Sequence, residues 1–352
     1  MSLQKLDINP KYISILKSVG IFTVDKVLVY SNLELQKKTN LTESKIKEVL
    51  HAAANYVVTQ RVKQASVLDV YTKSSSAIDF QVDKLKTGCD DIDSILSGGL
   101  LIPGVTEVSG ESSSGKTQFC LQTCILTSRA YNDCKCLYIC TEDAFPNKRL
   151  IQMTTSHSMS KTESQSITDR IFVEHVEDLE TLISFLETRI INLLSNHKLK
   201  LIIIDSITAL FRVEFENWEL AARAKTLATV GKLLHKLSHQ YKICVICVNQ
   251  VSAVFEPESS LSKREEKFVP ALGLTWSYFV TTRLILARTK HSLSTIGINA
   301  NNEMLAEDSN IRTCRIAFSP HLSNRRCFFL VLKQGLKGFN FEDKQNENLE
   351  SC

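Results

Sequence analysis

The feature that most restricts this chain is Gly110-Glu111-Ser112-Ser113-Ser114-Gly115-Lys116-Thr117, set between the apolar run Val105 to Ser109 and a helix-forming run that begins at Lys116. It matches GxxxxGK[ST] in the strand-turn-helix context that the pattern requires. Each position has a chemical reason. The glycines permit a tight turn, and successive backbone N–H groups at a helix N-terminus cradle phosphate oxygens. Lys116 reaches the outer phosphates, the Thr117 hydroxyl takes Mg²⁺, and Gln118 completes the run in the first helical turn. ATP and Mg²⁺ are therefore the expected ligands.

Other candidates follow from where ligands gather in an open parallel sheet, outside the carboxyl ends of its strands. Leu201-Ile202-Ile203-Ile204 ends in Asp205, a carboxylate placed to hold the metal through water. Cys136 to Cys140 is followed by Thr141, Glu142 and Asp143, and Glu142 is a candidate base for an attacking water; a helix cap or a solvated loop acid is the plain alternative. Ile243 to Val248 is closed by Asn249 and Gln250. That amide pair can face a terminal phosphate, or simply mark a strand end.

The surrounding pattern is apolar strands alternating with longer helical segments. Strands are predicted at 105–109, 136–140, 170–174, 201–204, 243–248 and 281–287, and helices at 116–131, 179–195 and 218–240. Several strands are apolar on both faces, as in a parallel sheet covered by helices, which predicts a doubly wound α/β domain. Residues 312–318 and 327–332 alternate more strictly and read as an antiparallel pair closing the sheet. Before the sheet, residues 1–62 read as a bundle of short helices: Pro10 to Val19, one from Thr23, one from Asn32, and Glu43 to Val57 behind Thr42. Residues 63–86 read as a linker, 87–340 as the α/β core and 341–352 as a polar tail, and 290–310 is long for a hairpin connection.

Composition narrows the class. With 352 residues, 43% hydrophobic and 23% charged, the chain is an ordinary globular one. The longest apolar runs fall far short of the ~20 residues of a membrane span. The start, MSLQKLDINPKY, has no apolar core after a basic leader, so no secretory signal and a cytosolic-side protein are expected. The net charge of +4 is uneven: residues 1–65 carry +5 and the remainder −1. The basic surplus belongs to the helical segment, where it meets phosphate, an acidic partner or only solvent. Eleven cysteines without a dense framework fit a reducing compartment, and the pair Cys244 and Cys247, inside an apolar run, reads as strand packing.

The order phosphate loop, TE, IIIDS, VNQ, flexible loop and antiparallel end, behind a small helical domain, resembles the eukaryotic RecA-type recombinases. YICTEDAFPNKRL, VPALGLTW and SPHL are similar to their recombinase paralogues, over almost the whole chain. The resemblance implies a RecA-like core and a helix-hairpin-helix N-terminal domain. It makes Glu142 the catalytic glutamate, working with Lys116, and Gln250 the γ-phosphate sensor. It makes Arg149 an adenine-stacking group, a contact that a flat guanidinium can make with a π-face. It also implies nuclear, with some cytoplasmic, localisation and a heterodimer with the C-type paralogue. That pair would act on branched or single-stranded DNA beside the main recombinase.

Several positions depart from the pattern. The hairpin glycine is replaced in Thr39-Asn40-Leu41, where Asn is the residue that best tolerates a left-handed turn. The first DNA-facing loop, Val213 to Glu219, carries three acids and no base, and the second, Ser252 to Pro270, carries four acids against three bases. Neither favours single-stranded DNA. Filament-forming members have an aspartate where Phe318 stands. Val67 and Val70 are the candidate anchors of an interface strand in the linker, which otherwise reads as unstructured. These departures predict a weak ATPase at most within a heteromeric complex; an autonomous strand-exchange recombinase, a small-molecule kinase and a scaffold with a fossil site remain as alternatives.

Overall fold

The computed structural model describes residues 3–6, 8–61, 83–156, 160–216, 218–254, 267–293 and 310–340. Most of the predicted linker with Val67 and Val70, the central part of the second loop, most of 290–310 and the tail 341–352 lie outside the described residues. The chain forms two compact units, Met1–Gln81 and Val82–Cys352. No helix among the described residues is long and apolar enough to cross a membrane.

The first unit contains a 3-10 turn at Leu3–Lys5 and helices α1 (Pro10–Ser18), α2 (Val24–Val29), α3 (Asn32–Thr39) and α4 (Glu43–Arg61). Their starts follow from side chains that satisfy free N–H groups. The Thr23 hydroxyl accepts from Lys26 N, and Ser31 and Glu34 form a reciprocal capping box. Asn40 ends α3 at φ 53° and ψ 23°, and its N–H donates to Gln36 O at 2.9 Å. Asn therefore takes the left-handed position that glycine would otherwise fill. Leu16, Val24, Val27, Leu35, Ile46, Val49 and Ala53 are buried together, whereas Leu28, paired with Val27 in sequence, points outward.

The second unit is built on strands β1 (Asp83–Leu85), β2 (Leu100–Ile102), β3 (Gly104–Gly110), β4 (Cys134–Cys140), β5 (Ile171–His175), β6 (Lys198–Asp205), β7 (Cys244–Val254), β8 (Lys267–Pro270), β9 (Thr282–Ser292), β10 (Asn310–Phe318), β11 (Arg326–Leu332) and β12 (Gly335–Phe339). The main sheet runs β12-β11-β10-β9-β3-β7-β6-β4-β5, with β8 added to β7. From β9 to β5 neighbours are parallel; β9 to β12 pair antiparallel.

Helices α5 (Asp90–Ile95), α6 (Lys116–Ala130), α7 (Asn147–Ser156), α8 (Lys161–Thr168), α9 (Leu179–Ser184), α10 (Ile190–Asn196), α11 (Ile207–Glu214), α12 (Leu220–Tyr241) and α13 (Gly273–Ser277) complete the unit. Strand alternation divides its core. Cys136, Tyr138, Leu201, Ile203, Cys244 and Ile246 pack with Leu121 and Ile125 of α6 on one face. Leu137, Ile139, Ile202, Ile204, Val245 and Cys247 pack with Val230 and Leu234 of α12 on the other. Cys244 and Cys247 thus face opposite sides, and burial pushes their thiols up, that of Cys244 to about 12. Both pack, as the apolar run around them predicted.

Four expectations need correction. Residues 83–85 form β1 and pair with β2, although they fell inside the predicted linker; three residues are too few to show an alternation. The closing pair is extended by β12, whose two glycines hide its strand character. β7 continues to Val254 and pairs with β8, so Asn249 and Gln250 lie within a strand and do not end it. The helix predicted over 179–195 contains a π turn at Phe185–Arg189. Ile203 is fully buried in β6, between β4 and β7. Ile203→Ala should lower stability by about 2–5 kcal/mol, measured by urea unfolding, against about 0.5 kcal/mol or less for Ile191→Ala at an exposed position.

Candidate functional site

The parallel register determines what can meet. Gly110 lies beside Gln250, Ser109 beside Asn249, and Cys140 beside Asp205. The carboxyl ends of β3, β4 and β6 therefore converge, beside Gln250 within β7, on a cavity of about 470 Å³ lined by Gly110 to Ser113, Lys116, Thr117, Glu142, Asp205 and Gln250, among others.

The phosphate-loop sequence closes one side of this cavity. A Cβ on Gly110 would lie 2.3 Å from Leu286 O and 2.6 Å from Ser114 Oγ, so only glycine fits against β9. Ser113 and Gly115 take φ values of 59° and 102° to complete the turn. The loop is held from behind: Arg312 Nε donates to Ser113 O at 3.1 Å, and Arg288 N donates to Glu111 Oε1 at 3.0 Å. Lys116 Nζ donates to Gly110 O at 2.8 Å and Glu111 O at 2.6 Å. Burial pulls its ammonium below the ordinary lysine range, with Asp205 opposing. Ser114 Oγ is buried without a hydrogen-bond partner.

Opposite the loop, Asp205 Oδ2 accepts from Tyr138 OH at 2.6 Å and Thr117 Oγ1 at 3.0 Å. Burial pushes its carboxyl above the usual range, and those two hydrogen bonds pull the other way. The Tyr138 hydroxyl is pushed well up, by burial first and by the Asp205 charge second. Thr117 and Asp205 offer hard oxygen donors one hydrogen bond apart, a set suited to Mg²⁺. Lys116, the Asp205 carboxylate beside Thr117 and the glycine-bearing turn at the start of α6 together fit a magnesium-bound polyphosphate.

Glu142 faces the same cavity. Gln250 Nε2 donates to both of its oxygens at 3.2 Å, and Ser206 Oγ donates to Oε2 at 3.4 Å. Arg212 on α11 donates to Gln250 Oε1. Because a guanidinium only donates and a carboxylate only accepts, the amide has one orientation. This triad lies where a carboxylate can bind and orient a water.

Arg149 and Gln118 do not line the cavity. Arg149 Nε donates to Gln118 Oε1 at 2.6 Å, and its other nitrogens reach Leu332 O at 2.7 Å, Lys333 O at 2.9 Å and Gln152. The arginine, in α7, joins α6 to the β11–β12 turn. In the acidic loop Val213 and Trp218 are 86% and 78% exposed. Phe318 is half exposed at the end of β10.

Tyr138 and Arg212 escaped notice because strand alternation gives no sign of which side chain reaches a neighbour's end. Glu107, a charge inside the apolar strand VTEVS, was a legible signal left unused.

The Rad51 family model matches residues 80–339, and the model of the XRCC3/RpoA-like helix-hairpin-helix domain matches residues 3–57. The chain belongs to the Rad51 family. It is 35% identical to DNA repair protein XRCC3 of Mus musculus, across 96% of this chain and 98% of that protein. Identity to XRCC3 of Bos taurus is 32%, across 96% and 98%. Identity to the meiotic recombination protein DMC1 homolog of Lilium longiflorum is 27%, across 94% and 86%. The chain is thus a RecA-type recombinase paralogue similar to XRCC3.

Tyr138→Phe removes a hydrogen bond to a buried charge, so stability should fall by about 1.5–3 kcal/mol at neutral pH. The Tyr138 bond favours the charged Asp205. The deficit should therefore narrow as pH falls through the folded carboxyl's raised pKa, in urea titrations at a series of pH values.

Proposed function

We propose that the chain is an ATP-binding recombinase paralogue acting in homologous-recombination repair of DNA, as a subunit of a heteromeric paralogue complex in the nucleus. The observation that carries this reading is the convergence of Lys116, Thr117, Asp205, Glu142 and Gln250 on one cavity at the strand ends. The DNA repair role is supported by the similarity to proteins named DNA repair protein XRCC3.

In this reading the N–H groups of 110–117 and Lys116 bind the phosphates of ATP, and Thr117 and Asp205 hold Mg²⁺. The metal neutralises phosphate charge. Lys116 exchanges its two carbonyl partners for phosphate oxygens and regains a counter-charge. Glu142 orients a water, and Gln250 moves from Glu142 toward the terminal phosphate. Turnover is slow, and the nucleotide chiefly sets the interface with a partner. The acidic loop and Phe318 favour a heterodimer, with the C-type paralogue as partner, over self-polymerisation on single-stranded DNA. The main recombinase and branched or single-stranded DNA are the remaining contacts of the assembly.

Binding of Mg·ATP at ~100 times Kd should stabilise the chain by ~2.7 kcal/mol, a rise of a few degrees in melting temperature. Lys116→Ala should abolish the rise; a full rise in that variant would refute phosphate binding at this site. Light scattering with Mg·ATP and single-stranded DNA should find a monomer or, with a co-expressed paralogue, a defined heteromer. Large DNA-dependent assemblies of this chain alone would establish an autonomous recombinase instead.

A further inference from the structure

Beneath the cavity lies a line of buried polar groups that meets it only through Gln250. Glu107, in the middle of β3 and wholly buried, has Arg283 Nε at 2.7 Å on Oε2. Its Oε1 accepts from Ser109 Oγ at 2.7 Å and Asn249 Nδ2 at 2.6 Å. Asn249 Oδ1 in turn accepts from Thr208 Oγ1 at 2.5 Å, and Thr208 Oγ1 accepts from Gln250 N at 3.0 Å. Every donor along this line points toward Glu107. A carboxylate only accepts, so Asn249 must present its NH₂; its oxygen then takes the Thr208 proton, and the hydroxyl lone pair is left for Gln250 N. The far side of the line reaches α13, where Arg283 donates to Ser277 Oγ at 2.8 Å. Ala271 N closes the circuit by donating to Gln250 O at 3.1 Å.

We propose that Glu107 is a positioning residue: by setting the direction of the Asn249–Thr208–Gln250 line it fixes Gln250 at the cavity, and so determines how strongly the site distinguishes a nucleoside triphosphate from a diphosphate. The inference rests on the reading of the cavity as a nucleotide site with Gln250 facing the terminal phosphate. Its physical basis is the cost of an unpaired buried polar group. A displaced Gln250 would leave its own N–H without the Thr208 acceptor and draw the adjacent Asn249 off the Glu107 carboxylate, so the strand is held where both are satisfied. An amide at position 107 that keeps its oxygen on Arg283, which can only donate, would turn its NH₂ toward Asn249, a donor toward a donor. Asn249 would then have to turn over, and Thr208 would lose its acceptor.

The test compares affinities of the purified full chain for Mg²⁺ with a non-hydrolysable ATP analogue and for Mg·ADP, by calorimetry. In Glu107→Gln the triphosphate preference should fall by about tenfold, the loss of one hydrogen bond to a charged group, with ADP affinity little changed. Thr208→Val deletes the relay hydroxyl at nearly constant shape and leaves Glu107 and Arg283 paired, so it carries the test if Glu107→Gln does not fold. It should lose the preference likewise, and Thr208→Ser, which keeps the hydroxyl, should retain it. A purely structural role would lower the melting temperature without moving the preference. If the folded variants keep the parental preference while Gln250→Ala loses it, the positioning role is overturned. If Gln250→Ala itself keeps the preference, the phosphate-facing reading of Gln250 fails, and the inference with it.

Discussion

The parallel pairing of β3 with β7, and of β4 with β6, is the constraint on which the rest of the structure depends. Strand register has a period of two, so a slip by one residue sends every side chain to the opposite face. In the observed register Gly110 stands beside Gln250 and Cys140 beside Asp205. The phosphate loop, the buried acid and the amide then arrive at one place. The two-sided apolar core enforces that register: moving β6 by one residue would exchange the Ile203 face, packed with α6, for the Ile204 face, packed with α12.

Within this apolar frame, charge is admitted only where it has partners. Glu107 is paired with Arg283, and Asp205 receives hydroxyls from Tyr138 and Thr117. Lys116 rests on two backbone carbonyls. These pairings differ in kind. The Glu107 line is closed on all sides, as a group with a positioning task must be. Lys116 and Asp205 are incompletely compensated, since burial disfavours the charged form of both. Such groups gain from a ligand that brings the opposite charge.

The same contrast separates this site from the surfaces that departed from the family pattern. Glu214 ends α11, whose Arg212 holds Gln250, and Glu216 and Glu219 follow it. Arg212 and Glu214 share the last turn of α11, where Arg212 is tied to Gln250 and the acids from Glu214 onward are exposed. A surface of that sign repels nucleic-acid phosphates and suits a protein neighbour better. At Asn40 the departure is chemically mild, because an Asn in the left-handed conformation keeps the backbone path of the hairpin.

How much of this was legible depended on whether the signal was local. The phosphate loop, the doubly wound alternation, the helix starts at Thr23 and Asn32 and the strand-end positions of Asp205 and Glu142 all follow from spacing within one segment. Short or glycine-bearing strands, β1 and β12, carried too little pattern to be read. The sequence by itself determined the longer strands and helices, and that a GxxxxGK[ST] turn joins β3 to α6. Only the tertiary structure decided that Tyr138 and Thr117 share one oxygen of Asp205, that Arg212 orients Gln250, that Arg149 turns to the β11–β12 carbonyls, and that Glu107 governs Asn249. Those contacts join residues far apart in the chain, and their partners are selected by sheet order and register, which no single segment encodes.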